Sequence, residues 1–245
     1  MSAYDPYEPL NTLKPFAEEV WIVDGPLIRF GMPWPKFSFP TRATVIRLER
    51  GLFIHSPTPL TPELGRAITE IGTPRWIIGP NRIHYWWLPD WSAAFPNAQV
   101  WLAPRIREQS KGRIDLPAAA LEPGGAFPWD GAIDTVCLAG SFMTEFDFFH
   151  RASRTLLLTD LMENFEPERV HSAAMRLVLR LAGALAPEGG MPRDMRLAFP
   201  KAGIKSAVET MLRWHPERII LAHGRCIERD AEARLRRSFH WLLQS

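Results

Sequence analysis

The sequence predicts an α/β protein whose helices pack on a sheet. Three observations carry this. Between residues 61 and 102 the pattern alternates helix, strand, helix, strand. The strands Arg75-Trp76-Ile77-Ile78 and Arg218-Ile219-Ile220-Leu221-Ala222 are short, unbroken apolar runs, as strands covered on both faces are. Buried strands of this kind end in polar residues at Asn81 and His84, at Asp160 and at His223, which is where α/β folds place their sites.

Each element follows in order. Val20-Trp21-Ile22-Val23 is expected as a short strand ended by Asp24-Gly25-Pro26. Ala43–Leu48 and Leu52–His55 flank Glu49-Arg50-Gly51, which is hairpin spacing with glycine at the turn. Pro57 and Pro59 stop the second strand. A helix then opens with Thr61 as N-cap, Pro62 at the first helical position and Glu63 behind it, and ends near Gly72. The strand 75–78 leads into the loop Gly79-Pro80-Asn81-Arg82-Ile83-His84, followed by a short helix over 88–94 and a strand over 99–102. Residues 105–130 look like loop. Thr135–Leu138 and the alternating Glu145–His150 are strands, Arg151–Arg154 is a turn, and Thr155–Asp160 is a strand stopped by an acid. Helices are expected over 171–186, ended by Glu188-Gly189-Gly190, over 201–214, and over 230–243. No linker, repeat or low-complexity tract interrupts the chain, so residues 1–245 are expected as one domain.

Composition narrows the function classes. With 46% hydrophobic and 23% charged residues the proportions are globular. The balance of 29 basic to 27 acidic residues is too even for a nucleic-acid partner. No run of about 18 apolar residues exists for a membrane span. The N-terminal segment lacks the basic and apolar regions of a signal peptide, and Cys137 and Cys226 allow no disulfide framework; a cytoplasmic protein is expected. Cys137, in an apolar run, is expected as a buried thiol. The 10 tryptophans imply either a broad core or an aromatic-lined cleft.

The residues that carry chemistry are His84, Asp160 and His223. Two imidazoles and a carboxylate suit one zinc, iron or manganese ion, with a coordination position left for water. The competing reading is a hydrogen-bonded cluster with no metal, in which a neutral imidazole donates to Asp160 and ties the loops together. Asn81 is a candidate for orienting substrate or water, against an ordinary turn residue after Pro80. Trp86 and Trp87 are candidates for the wall of a small-molecule cleft, against core packing of the short helix. Glu145 is weighed as a replacement carboxylate or an ordinary residue at a strand start. His55 and His150 are expected to be structural, and a Ser141–His150 nucleophile is disfavoured because no G-x-S-x-G elbow is present.

The order of these segments resembles the metallo-β-lactamase fold: opening hairpin, helix, strand–loop–short helix, a hairpin ending in Asp160, and a late strand ending His223-Gly224. The resemblance implies a four-layer αββα sandwich with ligands on loops along one edge. The family motif H-x-H-x-D-H aligns its last His with His84, while its other ligand positions fall on Gly79, Asn81 and Ile83. The next family His falls near Ser141; the bridging Asp matches Asp160 and the final His matches His223. The resemblance therefore implies that the first metal position has lost its ligands and that the second can hold a single metal. Phe53–Pro57, Pro80–His84 and Phe149–Leu156 are similar to a divergent, uncharacterised branch of the superfamily. The implied activity is a single-metal hydrolase that activates water. A non-haem iron oxygenase and a metal-free catalyst stay open, as does an inactive descendant that binds a small molecule or protein partner through a Trp-rich cleft. The oligomeric state has no signature in the chain.

Overall fold

A computed structural model describes residues 4–30 and 37–244. The first sheet opens with β1 (Leu13–Ala17), β2 (Val20–Phe30), β3 (Phe37–Leu48) and β4 (Gly51–His55), which pair antiparallel in sequence order. Helix α1 (Pro62–Ile71) then crosses to β5 (Pro74–Gly79), and α2 (Leu88–Ala94) crosses to β6 (Gln99–Leu102). Both crossovers make parallel pairs, the connection a parallel strand requires. After the short α3 (Ile106–Ser110), β7 (Ala119–Ala120) completes a sheet of seven strands in sequence order. The second sheet holds β8 (Ile133–Ala139), β9 (Thr144–His150) and β10 (Thr155–Leu158) as an antiparallel meander. Helices α4 (Ala173–Ala182) and α5 (Lys201–Arg213) precede β11 (Arg218–Leu221), which lies parallel to β10. Helices α6 (Ala231–Ser238) and α7 (His240–Leu243) follow.

Strand alternation builds the layers. Phe148 of β9 and Leu157 of β10 share one core with Phe53 of β4, and the Phe53 and Phe148 rings stand 5.3 Å apart between the sheets. Their neighbours Phe149, Leu156 and Leu158 point the other way and pack with Ile204, Val208 and Met211 of α5 and Leu235 of α6. On the far side of the first sheet, Leu64 and Ile68 of α1 and Leu88 and Trp91 of α2 close the core. Two facing sheets with helices outside them are the mixed α/β arrangement the sequence implied.

The start of α1 is the clearest local success. Thr61 takes extended backbone and its hydroxyl accepts from the Leu64 N–H at 3.2 Å, with Pro62 behind it and Gly72 at the other end. Other expectations fail for identifiable reasons. Strand β2 does not stop at Asp24-Gly25-Pro26 but continues to Phe30 through a bulge between Gly25 and Ile28, which absorbs the proline. Helix α4 ends at Gly183 in the left-handed region, six residues before Gly189. It buries Met175 and Leu179 and leaves Leu177, Val178 and Leu181 exposed, so its apolar spacing is not one core face. The last helix breaks at Phe239. The stretch expected as loop contains α3 and β7.

Most tryptophan goes to the core. Trp129 lies against Phe53, Trp76 and Trp101 at 5.0, 6.1 and 5.2 Å, and Trp91 donates its indole N–H to the Thr58 carbonyl at 2.7 Å. Cys137 is only half-buried, and Cys226 is likewise free.

Candidate metal centre

Parallel pairing sets the site. Strands β4 and β5 run together, so Ser56 and the 79–84 loop leave the first sheet at one end. Strands β10 and β11 run together, so Asp160 and His223 leave the second sheet side by side. His84, Asp160 and His223 meet there, each offering a ligand atom within 4.8 Å of the others. His84 Nε2 faces Asp160 Oδ2 at 3.3 Å, and His223 Nε2 faces Asp160 Oδ1 at 3.4 Å.

The other ring nitrogens are held from behind. His223 donates Nδ1–H to the Pro40 carbonyl at 2.7 Å, since a carbonyl can only accept. His84 Nδ1 meets the Ser56 hydroxyl at 2.7 Å, and Ser56 reaches it from a left-handed backbone, φ 50. Both rings are thus engaged at Nδ1 from behind and turn Nε2 toward Asp160, the ring geometry that metal-binding histidines use.

The His223 loop is fastened to the first sheet by Arg42 of β3. Its guanidinium donates to the Leu221 and Gly224 carbonyls and pairs with Asp24 at 2.7 Å, all out of solvent. Gly224 follows His223 at φ +92, and a Cβ there would lie 2.3 Å from the Asn164 carbonyl oxygen, so only glycine lets the loop pass.

Asn81 is fully buried beside the cluster. Its Oδ1 accepts from the Ile83 and His84 backbone N–H at 3.0 and 3.2 Å. Its Nδ2 donates to Asp160 Oδ2 at 2.6 Å, to Glu145 Oε2 at 2.9 Å and toward Thr159 Oγ1 at 3.3 Å. Glu145 in turn accepts from the Asp160 and Leu161 N–H at 3.0 and 2.9 Å.

The electrostatics follow from burial and neighbours. Burial alone would raise the Asp160 pKa, but His84 and His223 outweigh it and hold the carboxyl well below its usual range. Burial opposes charge on His223 too, and the Asp160 hydrogen bond and charge outweigh it, so this imidazole is raised. Glu145 is raised by burial and by the Asp160 charge. Its neighbour Asp147, whose oxygens have no hydrogen-bond partner of ordinary geometry, is raised further by burial and the Glu145 charge. Glu163 is pushed up to about 8 by burial; His223 pulls it back, and Asp160, Asp194 and Glu145 add to the rise. Burial drives His55 down to about 3, helped by the His84 charge.

The donor set fits a divalent cation. Contacts of 3.3 and 3.4 Å are wider than charge-assisted hydrogen bonds of about 2.7–2.9 Å. Two imidazole nitrogens and a carboxylate oxygen are donors that a divalent zinc, iron or manganese ion takes. Beside His84 lies a small cavity of about 20 Å³, room for about one water, walled by Tyr85, Trp86 and Trp87. Trp86 stacks on Tyr85 at 5.5 Å, and its indole N–H is buried without an acceptor.

The structure thus gathers His84, Asp160 and His223, sets Trp86 and Trp87 at the cavity, and buries Asn81 behind this cluster rather than on the cavity wall. His150 is buried and bonds Ser153 Oγ across the turn at 2.8 Å; Ser141 is exposed and lies against the Ala198 carbonyl. Sequence reasoning missed Ser56, Pro40, Arg42 and Glu163. Pro40 and Arg42 meet the His223 loop across about 180 positions of chain, which no local pattern reports. An acid inside the apolar run Leu161-Met162-Glu163 was the only available signal for Glu163.

This architecture, two facing sheets with a His/Asp cluster on edge loops, is that of the metallo-β-lactamase fold. Solved structures bear this out. The mono-zinc form of the metallo-β-lactamase FIM-1 from Pseudomonas aeruginosa is similar with a TM-score of 0.61 at 11% identity, over 95% of each chain. The metallo-β-lactamase from Pontibacter korlensis gives a TM-score of 0.60 at 9% identity, over 96% of this chain and 99% of that one. That from Hirschia baltica gives 0.57 at 10% identity, over 91% and 95%. Within this fold the chain belongs to the family described as domain of unknown function DUF4336, whose model matches residues 19–180. No curated protein matches it.

Proposed function

We propose that this protein is a metal-dependent hydrolase that works with one divalent cation held by His84, Asp160 and His223. The observation that carries the reading is the convergence of two Nε2 atoms on one buried carboxylate, with both Nδ1 atoms engaged from behind. A cation there supplies Lewis acidity and a bound water that ionises near neutral pH. The chain's own residues do the rest. Asp160 supplies the anionic ligand, and the Pro40 carbonyl and Ser56 hydroxyl keep the two rings aimed. Glu163, pushed up to about 8 by burial, holds its proton at neutral pH, which suits it to give a proton to a leaving group rather than to take one from water. Zinc, iron and manganese all suit the donor set; iron would turn the same three ligands toward oxygenase chemistry.

A second reading rests on Trp86. Its unpartnered indole N–H beside the His84 cavity is a donor for a ligand's acceptor, as expected of a binding protein without catalysis.

The test is elemental analysis of protein purified without a His tag, alongside Asp160→Ala. The expected result is about one metal per chain, absent in the variant, and hydrolysis in a screen of ester, thioester and phosphodiester substrates that chelator abolishes. No metal after reconstitution with zinc, iron or manganese, and no gain in Tm from any of them, refutes the hydrolase and favours the Trp86 reading.

A further inference from the structure

We propose that Asn81 and Glu145 form a hydrogen-bonded brace beside Asp160 in which the Asn81 amide stands between two carboxylates in place of a second cation, limiting the site to one ion and aiming two of its ligands. This rests on the single-cation reading above and adds what enforces it.

Two buried carboxylates, Glu145 and Asp160, approach each other across one amide nitrogen. Carboxylates brought together away from water need a cation or a hydrogen-bond donor between them. Here the donor is Asn81 Nδ2, 2.9 Å from Glu145 and 2.6 Å from Asp160. Those are N–H···O spacings, longer than the roughly 2.0–2.2 Å at which a zinc ion takes a carboxylate oxygen. The amide orientation is settled by chemistry: Oδ1 faces two backbone N–H donors, so the NH2 must face the two carboxylates.

The brace is a closed circuit. Glu145 accepts from the Asp160 backbone, Asn81 joins Glu145 to the Asp160 side chain, and the other end of Asn81 holds the His84 backbone. It therefore ties the loop after β5 to the loop after β10. Asn81 and Glu145 are positioning residues, acting through Asp160 and His84.

The test uses two substitutions with Co²⁺ and Zn²⁺ as probes, read by calorimetry, elemental analysis and the visible spectrum of the cobalt form. Asn81→Asp keeps Oδ1 for the Ile83 and His84 amides and removes the donor; Asn81→Ala removes both. The wild-type chain is expected to take one equivalent. Asn81→Ala should bind that equivalent about 10–100-fold more weakly. Asn81→Asp places three carboxylates around one space and should take up a second equivalent with new cobalt absorption bands. Should Asn81→Ala fail to fold, Asn81→Asp alone decides. Wild-type affinity, stoichiometry and spectrum in Asn81→Asp would overturn the brace, and so would two equivalents in the wild-type chain, which leaves the cation reading intact. If the wild-type chain binds no cation, the functional reading fails separately. The brace is then judged on the metal-free protein, where Asn81→Asp must shift the ring ¹⁵N resonances of His84 and His223; unchanged resonances would overturn it.

Discussion

His55 should act as an acid-sensitive weak point. It ends β4 in the space between the sheets, with its ring 5.4 Å from Phe148 and its Nε2 buried without a partner. Burial lowers its pKa to about 3 from an ordinary 6.5. Below about pH 6.5 the unfolded chain takes up a proton that the folded chain refuses, so the folded state loses stability as pH falls through the window from about 6.5 to 3. At about 1.36 kcal/mol per unit, the full window amounts to about 4–5 kcal/mol, and about 2.7 kcal/mol is already lost by pH 4.5. That is a large share of the roughly 5–15 kcal/mol of a typical domain. His55→Gln removes the titration while keeping a similar volume, and any constant cost of the amide cancels in the slope. Urea unfolding of both proteins from pH 7.5 to 4.5 measures it. The wild-type chain should lose about 2–3 kcal/mol more than the variant across that range. Parallel curves would refute the argument that the ring stays neutral when buried.

Glu163 should act with the opposite sign. Its carboxyl is pushed up to about 8, so the folded state holds a proton that the unfolded chain releases above about 4.5, and stability falls as pH rises between these values; Glu163→Gln should flatten that fall in the same urea series, and an unchanged slope would count against it. Arg42→Met strands Asp24 without its buried partner and frees the Leu221 and Gly224 carbonyls, although Lys14 stays 3.0 Å from Asp24. It should cost about 3–5 kcal/mol in chemical denaturation and weaken zinc binding through the released His223 loop. Thr61→Ala removes the N-cap acceptor of α1 and should cost about 1 kcal/mol with no effect on metal content. Leu177→Lys, on the exposed face of α4, should change stability by no more than about 0.5 kcal/mol, and a larger loss would mean the face is covered in solution.

The fold was legible because its signals are local. The cap, proline and glycine around α1, the glycine-bearing turn between β3 and β4, and the unbroken apolar runs of β5 and β11 each report on a few neighbouring residues. Where the local signal misled, a longer-range contact won. The bulge let β2 run past its proline because β3 supplied a partner out to Phe30. Leu177, Val178 and Leu181 imitate a buried stripe, but α4 meets the rest of the protein through Met175 and Leu179 alone among its fully buried positions.

The three side chains of the cluster could be picked out in one dimension because Asp160 and His223 stand just past the ends of apolar strands and His84 lies in the loop after another, and parallel strands deliver their ends to one edge. What the amino-acid sequence determined by itself was therefore the kind of fold and the three side chains along its edge. Tertiary structure decided what surrounds them. It made Asn81 a buried brace instead of a cavity residue, brought Ser56 and the Pro40 carbonyl behind the two rings, and laid Arg42 under the His223 loop. It also shifted His55, Glu145 and Glu163 away from their ordinary pKa values. The physical reason is that burial and hydrogen-bond partnership arise between segments far apart in the chain. A side chain's chemistry depends on those partners as much as on its own identity.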